Sequence, residues 1–428
     1  MKIAQETIQA LLESFGPNAG LVEEMLEQYL SNPASVSPSW QDYFGSALNG
    51  GRPAPTPATP VSAPPEPAAP PLPLPLTSKA LRGVAGKIVE NMEASLSLPT
   101  ATSIRSMPVK VLEENRRLMN QHLGARTGRK ISFTHVIAYA MVKAMQVFPN
   151  INASFARIEG VPHKRERPQI NIGLAIDLPK KDGSRSLVVP NVRNAGELNF
   201  AEFVDRYEDI VRRARGNSLE PADFMETSIT LTNPGTVGTS ASIPRLMPGQ
   251  GAIVATGAIG HPAEHQGMSG RRLASLGLSK TMTMTCTYDH RVIQGAESGQ
   301  FLAKVQSLLA GDDEFYDQLF AHLVIPYEPI RWSADRPAAE PGSGNLEEIE
   351  KQARVLQLIN AYRVRGHLIA HLDPLVDEPH HHTELDPATY GLTLWDLDRT
   401  FVTGGLGGRQ SATLREILDI VRETYCGS

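Results

Sequence analysis

Residues 281–301 carry the clearest alternation of polar and apolar positions in the chain. Threonine at every second position alternates with the apolar residues Met282, Met284 and Cys286. A period of two predicts a half-buried β-strand. A polar loop around His290 follows, Gly295 interrupts the pattern, and apolar residues then recur at helical spacing over residues 296–309. The stretch therefore predicts a strand, a loop and a helix in succession.

Further helices and strands are predicted between residues 79 and 320. Helical spacing covers residues 84–96, 111–123, 133–148 and 200–213, and the third of these is apolar almost all round, so we expect it to be buried. Strand-like runs cover residues 98–109, 170–179, 186–192, 228–235 and 249–259. Strands mixed with helices around an open sheet predict an α/β sandwich domain.

The first 78 residues are of a different kind. Residues 1–50 predict a helical arm with two apolar faces, and we expect Trp40 and Phe44 to be exposed on it. Fifty residues cannot bury a core alone, so the arm either packs on its own chain or docks on another subunit, and both interpretations stay open. Residues 51–78 contain 11 prolines between Pro53 and Pro75, which predicts an extended, semi-rigid linker.

A second linker is predicted at residues 321–343, which contain four prolines. Residues 344–428 then predict a helical region. Its first helix has apolar residues recurring at three and four, namely Ile349, Val355, Leu356, Leu358, Ile359 and Leu368.

Composition narrows the possible functions. A length of 428 residues suggests two or three domains, and a net charge of −5 gives no electrostatic reason to expect nucleic acid or an anionic membrane as partner. The two cysteines, Cys286 and Cys426, predict free thiols in a reducing compartment. The chain has no run of 18 apolar residues, and its N-terminus lacks the pattern of a signal peptide. We therefore expect a cytoplasmic protein.

His290 is the first candidate for chemistry. A histidine at a strand end, between Asp289 and Arg291, is suited to act as a general base. The residues alone leave open that it only closes the strand through local hydrogen bonds. Three adjacent histidines, His380, His381 and His382, have poor geometry for one metal ion and predict a solvated loop rather than a zinc site.

Five sequence blocks resemble one known family. Residues 288–295, YDHRVIQG, are similar to the DHRxxDG signature of the dihydrolipoyl acyltransferases, the E2 cores of 2-oxo acid dehydrogenase complexes. Residues 131–155, 170–200, 227–238 and 244–259 resemble further blocks of this family, in the same order. The resemblance implies a chloramphenicol acetyltransferase-like two-layer sandwich, of class α/β, for residues 79–320.

The resemblance also implies the roles of individual residues. His290 is expected to be the base that takes the thiol proton, and Thr232 the donor that stabilises the oxyanion. From its pattern alone, Thr232 is better explained as a packed strand residue. Supporting positions are Asp289, Arg291, Gln294, Gly295 and Asn233. Gln294 departs from the family, which usually has an ion-pairing Asp there. Either the loop is held differently, by Asp289 or Glu297, or the core is weakened.

Both flanking regions resemble a second enzyme. Residues 1–50, most clearly 18–44, and residues 344–428 are similar to the N-terminal part of the E1 component of 2-oxoglutarate dehydrogenase. We therefore expect this chain to be a fragment of a fused E1–E2 polypeptide of the actinobacterial type, with thiamine diphosphate and Mg²⁺ bound only beyond residue 428. The E1 likeness also favours docking as the role of the arm.

Substrates and partners follow from the two resemblances. Coenzyme A and a lipoyl group are expected as substrates, and the succinyl group rather than acetyl rests on the E1-like segments. No segment resembles a lipoyl domain, so the lipoyl group is expected on another E2 protein, with the dihydrolipoamide dehydrogenase E3 as a further partner. The family implies a trimer-based homo-oligomer. The sequence identifies no side chain that contacts coenzyme A and no metal ligand.

The sequence is compatible with two functions. The first is a dihydrolipoyllysine succinyltransferase in the tricarboxylic acid cycle. The second is an assembly module that has lost activity through Gln294 and organises an E1 decarboxylase, in which case the parent protein is named for its E1 activity.

Overall fold

A computed structural model describes residues 11–12, 15, 18–48, 84–179, 185–334, 344–370 and 381–426. The predicted linker at residues 51–78 lies outside the described residues.

The described chain contains eleven helices and twelve strands. The helices are α1 (Ala19–Ser31), α2 (Pro38–Leu48), α3 (Val84–Leu96), α4 (Lys110–Arg126), α5 (Phe133–Val147), α6 (Phe200–Arg215), α7 (Gly270–Ser275), α8 (Gly295–Ala310), α9 (Phe315–His322), α10 (Gly344–Arg365) and α11 (Leu414–Tyr425). The strands are β1 (Thr100–Pro108), β2 (Ser154–Ile158), β3 (Val161–Arg165), β4 (Ile172–Leu174), β5 (Ile176–Pro179), β6 (Arg185–Val188), β7 (Asn191–Val192), β8 (Ile229–Thr232), β9 (Ala252–Thr256), β10 (Thr281–Asp289), β11 (Thr400–Val402) and β12 (Ser411–Thr413).

A six-stranded mixed sheet forms the centre of the molecule. Its strand order is β1-β10-β9-β8-β4-β7. Strands β4, β8 and β9 are parallel, whereas β10 pairs antiparallel with both β1 and β9. Three further pairs, β2-β3, β5-β6 and β11-β12, are separate two-stranded sheets. The alternation of threonine with apolar residues thus marks the second strand of the main sheet.

One face of this sheet and the helices beside it form the main hydrophobic core. Met282, Met284, Cys286 and Tyr288 of β10 all point into it. Helix α5 is buried over most of its surface, and α8 buries the apolar face predicted from the sequence. A mixed sheet with helices packed against one face is a two-layer arrangement, so the predicted α/β fold is confirmed.

The N-terminal arm packs on its own chain. Trp40 and Phe44, which we expected to be exposed, have no exposed surface, and their rings stack at 5.0 Å. The Trp40 indole donates a hydrogen bond to the carbonyl of Leu219 at 2.9 Å, and buried Asn18 pairs with both backbone groups of Val189. The expectation of exposed aromatic residues was therefore wrong. Trp40 and Phe44 lie in one apolar cluster with Val188, Ala214, Leu219 and Phe224, at and near the end of α6. The sequence pattern of the arm gives no information about this surface.

The C-terminal region has a small core of its own. Helix α10 buries Val355, Leu358, Ile359 and Tyr362 against α11 and the adjoining loops. Three other predicted face residues are exposed: Ile349 by 62%, Leu356 by 41% and Leu368 by 46%. The neighbouring elements cover only one stripe of α10, and apolar residues outside that stripe stay in contact with solvent.

Residues 321–334, the first part of the predicted second linker, are packed rather than extended into solvent. Ile325 is buried in the main core. Buried Asn115 of α4 pairs with the backbone N–H and carbonyl of Ile330 at 2.7 and 2.8 Å. Tyr327 and Ile330 contact both the main core and the C-terminal core. Only residues 335–343 of that linker lie outside the described residues.

Charged residues join α4 to the C-terminal region along a seam. Arg415 of α11 hydrogen-bonds to both Glu114 and Asp398. Lys110 reaches Asp398 at 2.7 Å, and Glu114 is only 3% exposed. Although burial alone would lower it, the two carboxylate partners raise the pKa of Arg415. A largely buried network of this kind holds the two regions in a defined orientation.

Candidate active site

His290 lies on an exposed turn directly after β10. Its backbone N–H donates to the carbonyl of Pro99 at 2.9 Å, and its ring lies edge-on to Tyr288 with centroids 5.5 Å apart. Strand β10 is fixed on both sides, by β1 and by β9. The imidazole is therefore accessible, while the backbone that carries it is held in place.

Asp289 and Arg291 clamp this turn. The Asp289 carboxylate accepts from the Arg291 backbone N–H at 3.0 Å and from its guanidinium at 2.9 and 2.6 Å. The guanidinium also lies 3.8 Å from the centroid of the Phe155 ring. Since the Asp289 side chain is only 3% exposed, this pair is a built part of the turn and not a loose surface ion pair.

The far side of the turn is held through Glu297. Asn150 donates from its amide to Glu297 at 2.6 Å and to the carbonyl of Val292 at 3.0 Å. Gln294 is exposed and stands just before α8, where its side chain makes no capping hydrogen bond. At Gly295, an added Cβ would lie 3.3 Å from the hydroxyl of Tyr288. The turn is thus tied by Asp289 and Glu297, while Gln294 makes no capping hydrogen bond.

Thr232 is the last residue of β8 and is half-buried. It pairs with Ala255 in the parallel β8-β9 ladder. Asn233 follows and donates from its amide to the hydroxyl of Thr134 at 3.0 Å. The loop beyond is tightly packed, because a Cβ at Gly235 would lie 2.3 Å from the carbonyl oxygen of Gly257. Only glycine fits at position 235 without a clash with the backbone of Gly257.

The two candidate catalytic residues follow the C-terminal ends of β8 and β10, which lie at opposite ends of the sheet because β8 and β10 run in opposite directions. Ala255 pairs with Thr232 on one side and with Thr285 on the other. His290 is five residues beyond Thr285, and two strand spacings separate β8 from β10. Standard strand dimensions then place His290 and Thr232 about 20 Å apart within one chain. The structure does not bring them together in a single protomer.

Sequence analysis missed Asn150, Phe155 and Thr134 as parts of the site. Asn150 and Phe155 fall in the matched block of residues 131–155, but that block gave no sign that they contact the His290 turn. Their roles depend on contacts between segments that are distant in the chain, and no local sequence pattern indicates such contacts.

The other candidates make different contacts. Both cysteines are buried and free, and burial raises the pKa of Cys286 to about 12 and that of Cys426 to about 11. His381 contacts Glu328 at 2.9 Å, whereas His380 lies outside the described residues. In the part of the chain that the structure describes, no group of three His, Cys, Asp or Glu side chains is arranged for a metal ion. No described helix is long and apolar enough to cross a membrane.

Family comparisons agree with the architecture. Residues 75–315 match the model of the 2-oxoacid dehydrogenases acyltransferase (catalytic domain). Residues 14–51 match the model of the 2-oxoglutarate dehydrogenase N-terminus.

Longer relatives share most of this chain. The multifunctional 2-oxoglutarate metabolism enzyme of Mycolicibacterium vanbaalenii is 45% identical over an alignment 469 residues long, and the alignment covers 96% of this chain and 37% of that protein. A protein of the same name from Mycobacterium sp. (strain KMS) is 50% identical over 352 residues, covering 82% of this chain and 27% of its own length. The chain thus spans less than two fifths of these relatives.

A solved dihydrolipoamide acetyltransferase from Azotobacter vinelandii aligns with a TM-score of 0.48 and 21% identity, over 58% of this chain and 99% of that one. The family model covers more than half of the 428 residues. The chain therefore belongs to the acyltransferase family of the 2-oxoacid dehydrogenases.

Proposed function

We propose that residues 79–320 form a dihydrolipoyllysine succinyltransferase of a 2-oxoglutarate dehydrogenase complex, acting in the tricarboxylic acid cycle. The observation that carries the proposal is the turn at His290, where an accessible imidazole stands on a backbone clamped by Asp289, Arg291 and Glu297. The choice of succinyl is supported by the match of residues 14–51 and by the names of the mycobacterial relatives.

In this proposal His290 takes the thiol proton of coenzyme A. The thiolate attacks the thioester carbonyl of succinyl-dihydrolipoyl-lysine, and a new C–S bond forms as the carbonyl becomes an oxyanion. Thr232 donates a hydrogen bond to that oxyanion. The C–S bond to the lipoyl sulfur then breaks, and the proton on His290 passes to the departing thiolate. Coenzyme A and the lipoyl group are substrates, and none of the described residues is assigned to bind either one.

A site that uses both residues needs two copies of the chain. His290 and Thr232 lie about 20 Å apart in one protomer by strand geometry, too far to act on one carbonyl group. We therefore propose that His290 of one protomer meets Thr232 of the next in a trimer-based oligomer, as the family resemblance implies. Each interface between copies would then hold one complete site.

The loss of the family's acidic residue at Gln294 is compatible with activity in this proposal. Asp289 and Glu297 already tie the turn on its two sides. An added charge at position 294 has little left to stabilise, so we expect Gln294→Asp to change kcat less than threefold. A gain of more than tenfold would show that the turn is poorly held in the natural sequence.

The wider setting is also a proposal. We place the protein in the cytoplasm, which its two free buried cysteines support. The lipoyl group arrives on a separate E2 protein, and dihydrolipoamide dehydrogenase acts as E3. Thiamine diphosphate and Mg²⁺ would act in an E1 region of a longer fused protein, beyond residue 428.

The test measures succinyl transfer between coenzyme A and dihydrolipoamide by the 428-residue chain. We expect His290→Ala to abolish nearly all transfer, because the base is gone. Thr232→Ala should lower kcat by roughly 100-fold with little change in KM, since the oxyanion exists only in the transition state. His163→Ala, at an exposed histidine on β3, is the matched control and should keep full activity. Unchanged turnover in His290→Ala would end the catalytic assignment.

Complementation tests the shared site. The His290→Ala and Thr232→Ala proteins are each inactive or nearly so, and mixing them under conditions of subunit exchange should restore transfer. Restoration is expected because some interfaces then pair an intact His290 with an intact Thr232. If exchange is demonstrated by labelled subunits and activity stays absent, the two-protomer site is wrong.

An assembly module is the second candidate function. The observation that favours it is packing: the arm and the C-terminal region both lie against the sheet domain, which can act as their scaffold. Acyl transfer lost in His290→Ala and kept in His163→Ala supports the enzyme. If the unchanged chain shows no transfer while the arm and the C-terminal region stay packed on the sheet domain, the scaffold is supported.

A further inference from the structure

The first turn of α5 contacts the loop that follows Thr232. The hydroxyl of Thr134 accepts the hydrogen bond from the Asn233 side chain at 3.0 Å. Asn233 is covalently next to Thr232, so this bond fixes the orientation of the peptide on which Thr232 is carried. Thr134 and Asn233 are 99 residues apart in the chain, and the contact joins α5 to the end of β8.

Thr134 lies near Tyr207 of α6, whose pKa burial raises and the Thr134 hydroxyl lowers. A hydroxyl has one donor and two acceptor positions, so accepting from Asn233 leaves the Thr134 hydroxyl able to donate. Burial, aided by the nearby charge of Glu208, raises the pKa of Tyr207 to about 12, and the phenol stays neutral at physiological pH.

His135, the next residue, anchors the same helical turn. Its ring lies 4.3 Å from that of Tyr207, and its Nε2 is 2.9 Å from a Glu208 carboxylate oxygen. Ser132 caps the helix, with reciprocal bonds between its side chain and backbone and those of His135. Thr134 therefore sits on a turn fixed at both ends, and cannot follow Asn233 if the loop shifts.

We propose that Thr134 is a positioning residue for acyl transfer: through Asn233 it sets the placement of the Thr232 hydroxyl. The inference rests on the proposed role of Thr232. Its physical basis is the side-chain hydrogen bond from Asn233 to Thr134, which acts beside the tight packing at Gly235 and the backbone hydrogen bond from Ala258 to the Thr239 carbonyl. Of these contacts, the Thr134 bond is next to Thr232, and its loss loosens that peptide without removing any group that touches substrate.

Two substitutions at one position test the proposal in the full 428-residue chain. Thr134→Val keeps the shape and removes the hydroxyl, whereas Thr134→Ser keeps the hydroxyl. We expect Thr134→Val to lower kcat about tenfold with the KM for coenzyme A unchanged, because a displaced oxyanion donor weakens only the transition state. Thr134→Ser should restore kcat to within about twofold. The matched control is Thr127→Val, since the Thr127 hydroxyl makes only local hydrogen bonds among the described residues, to the Leu123 carbonyl and from the Arg129 N–H.

A second readout does not depend on turnover. Amide hydrogen exchange across residues 233–239 should become faster in Thr134→Val and stay unchanged in Thr134→Ser and Thr127→Val. Tyr207→Phe, which removes only the phenol hydroxyl near Thr134, should give a smaller effect in the same direction and serves if Thr134→Val folds poorly.

The outcomes separate the two levels of inference. Equal kcat and equal loop exchange in Thr134→Val and Thr127→Val would overturn the positioning role. So would an equal loss in the Ser and Val variants, since the hydroxyl would then be irrelevant. If His290→Ala keeps full transfer, the proposed function fails, and the exchange data still decide whether Thr134 holds the loop.

Discussion

Trp40→Ala should release the N-terminal arm from the sheet domain. Trp40 has no exposed surface, so the substitution removes a large buried ring and the hydrogen bond from its indole to Leu219. A buried Trp side chain covers about 200 Å², which at about 25 cal/mol/Å² gives ~5 kcal/mol as an upper bound. Measured Trp-to-Ala costs of about 3–5 kcal/mol indicate a loss near 3–4 kcal/mol. The population of the detached arm should then rise by roughly 100- to 1,000-fold.

Hydrogen exchange measures this release. In Trp40→Ala, amides of α1 and α2 and of residues 214–224 should exchange faster, while β10 keeps its protection. Trp40→Phe keeps most of the ring and loses the hydrogen bond, so its effect should be smaller, near 1–2 kcal/mol. Leu30→Ala is the control, because Leu30 is on the same arm and 49% exposed. Protection in Trp40→Ala equal to that in Leu30→Ala would refute docking of the arm through this contact.

Three further results follow from the fold. Gly251→Ala should cost ~3 kcal/mol or prevent folding, because its Cβ would lie 1.8 Å from a backbone oxygen, while Gly299→Ala meets no atom within 4 Å and should be neutral or stabilising in thermal melts. Burial, with nearby arginine charges, lowers the pKa of His135 from 6.5 to about 4. As the pH falls, His135 therefore takes up a proton in the unfolded chain before it does so in the folded chain. The free energy of unfolding should fall by up to ~3 kcal/mol between pH 6.5 and pH 4. His135→Asn should make the free energy of unfolding, measured with urea, depend less on pH in this range. Arg415→Met should cost ~3 kcal/mol in urea unfolding by leaving a buried carboxylate poorly paired, whereas Arg409→Met, at an exposed pair, should cost under ~1 kcal/mol.

Local patterns predicted the elements of the main domain well. Strand β10 follows the alternation of threonine with Met282, Met284 and Cys286, and α5 is buried as its uniform apolar surface indicated. Such patterns reflect how one element meets a core, which depends mainly on its own residues.

Local sequence patterns predicted less well which elements pack against each other in the folded chain. The sequence around Trp40 is the same whether its ring contacts solvent, a partner or its own chain. Its burial depends on the position of Leu219 in the folded chain, which the local pattern does not give. Leu356 fits the helical spacing of α10 but lies outside the covered stripe. Asn150 and Thr134 act through hydrogen bonds across distant segments, and such contacts leave no periodic signal.

The antiparallel pairing of β10 with β9 determines how many complete sites an oligomer contains in the proposed arrangement. Each chain carries the His290 half of one site at one end of the strands and the Thr232 half of another at the opposite end. In the proposed shared site, a closed ring of three chains contains three complete sites, whereas an open row of three contains two and leaves an unmatched half at each end. Specific activity per chain would then report ring closure: full in closed rings, two thirds in open rows of three, and zero in isolated chains.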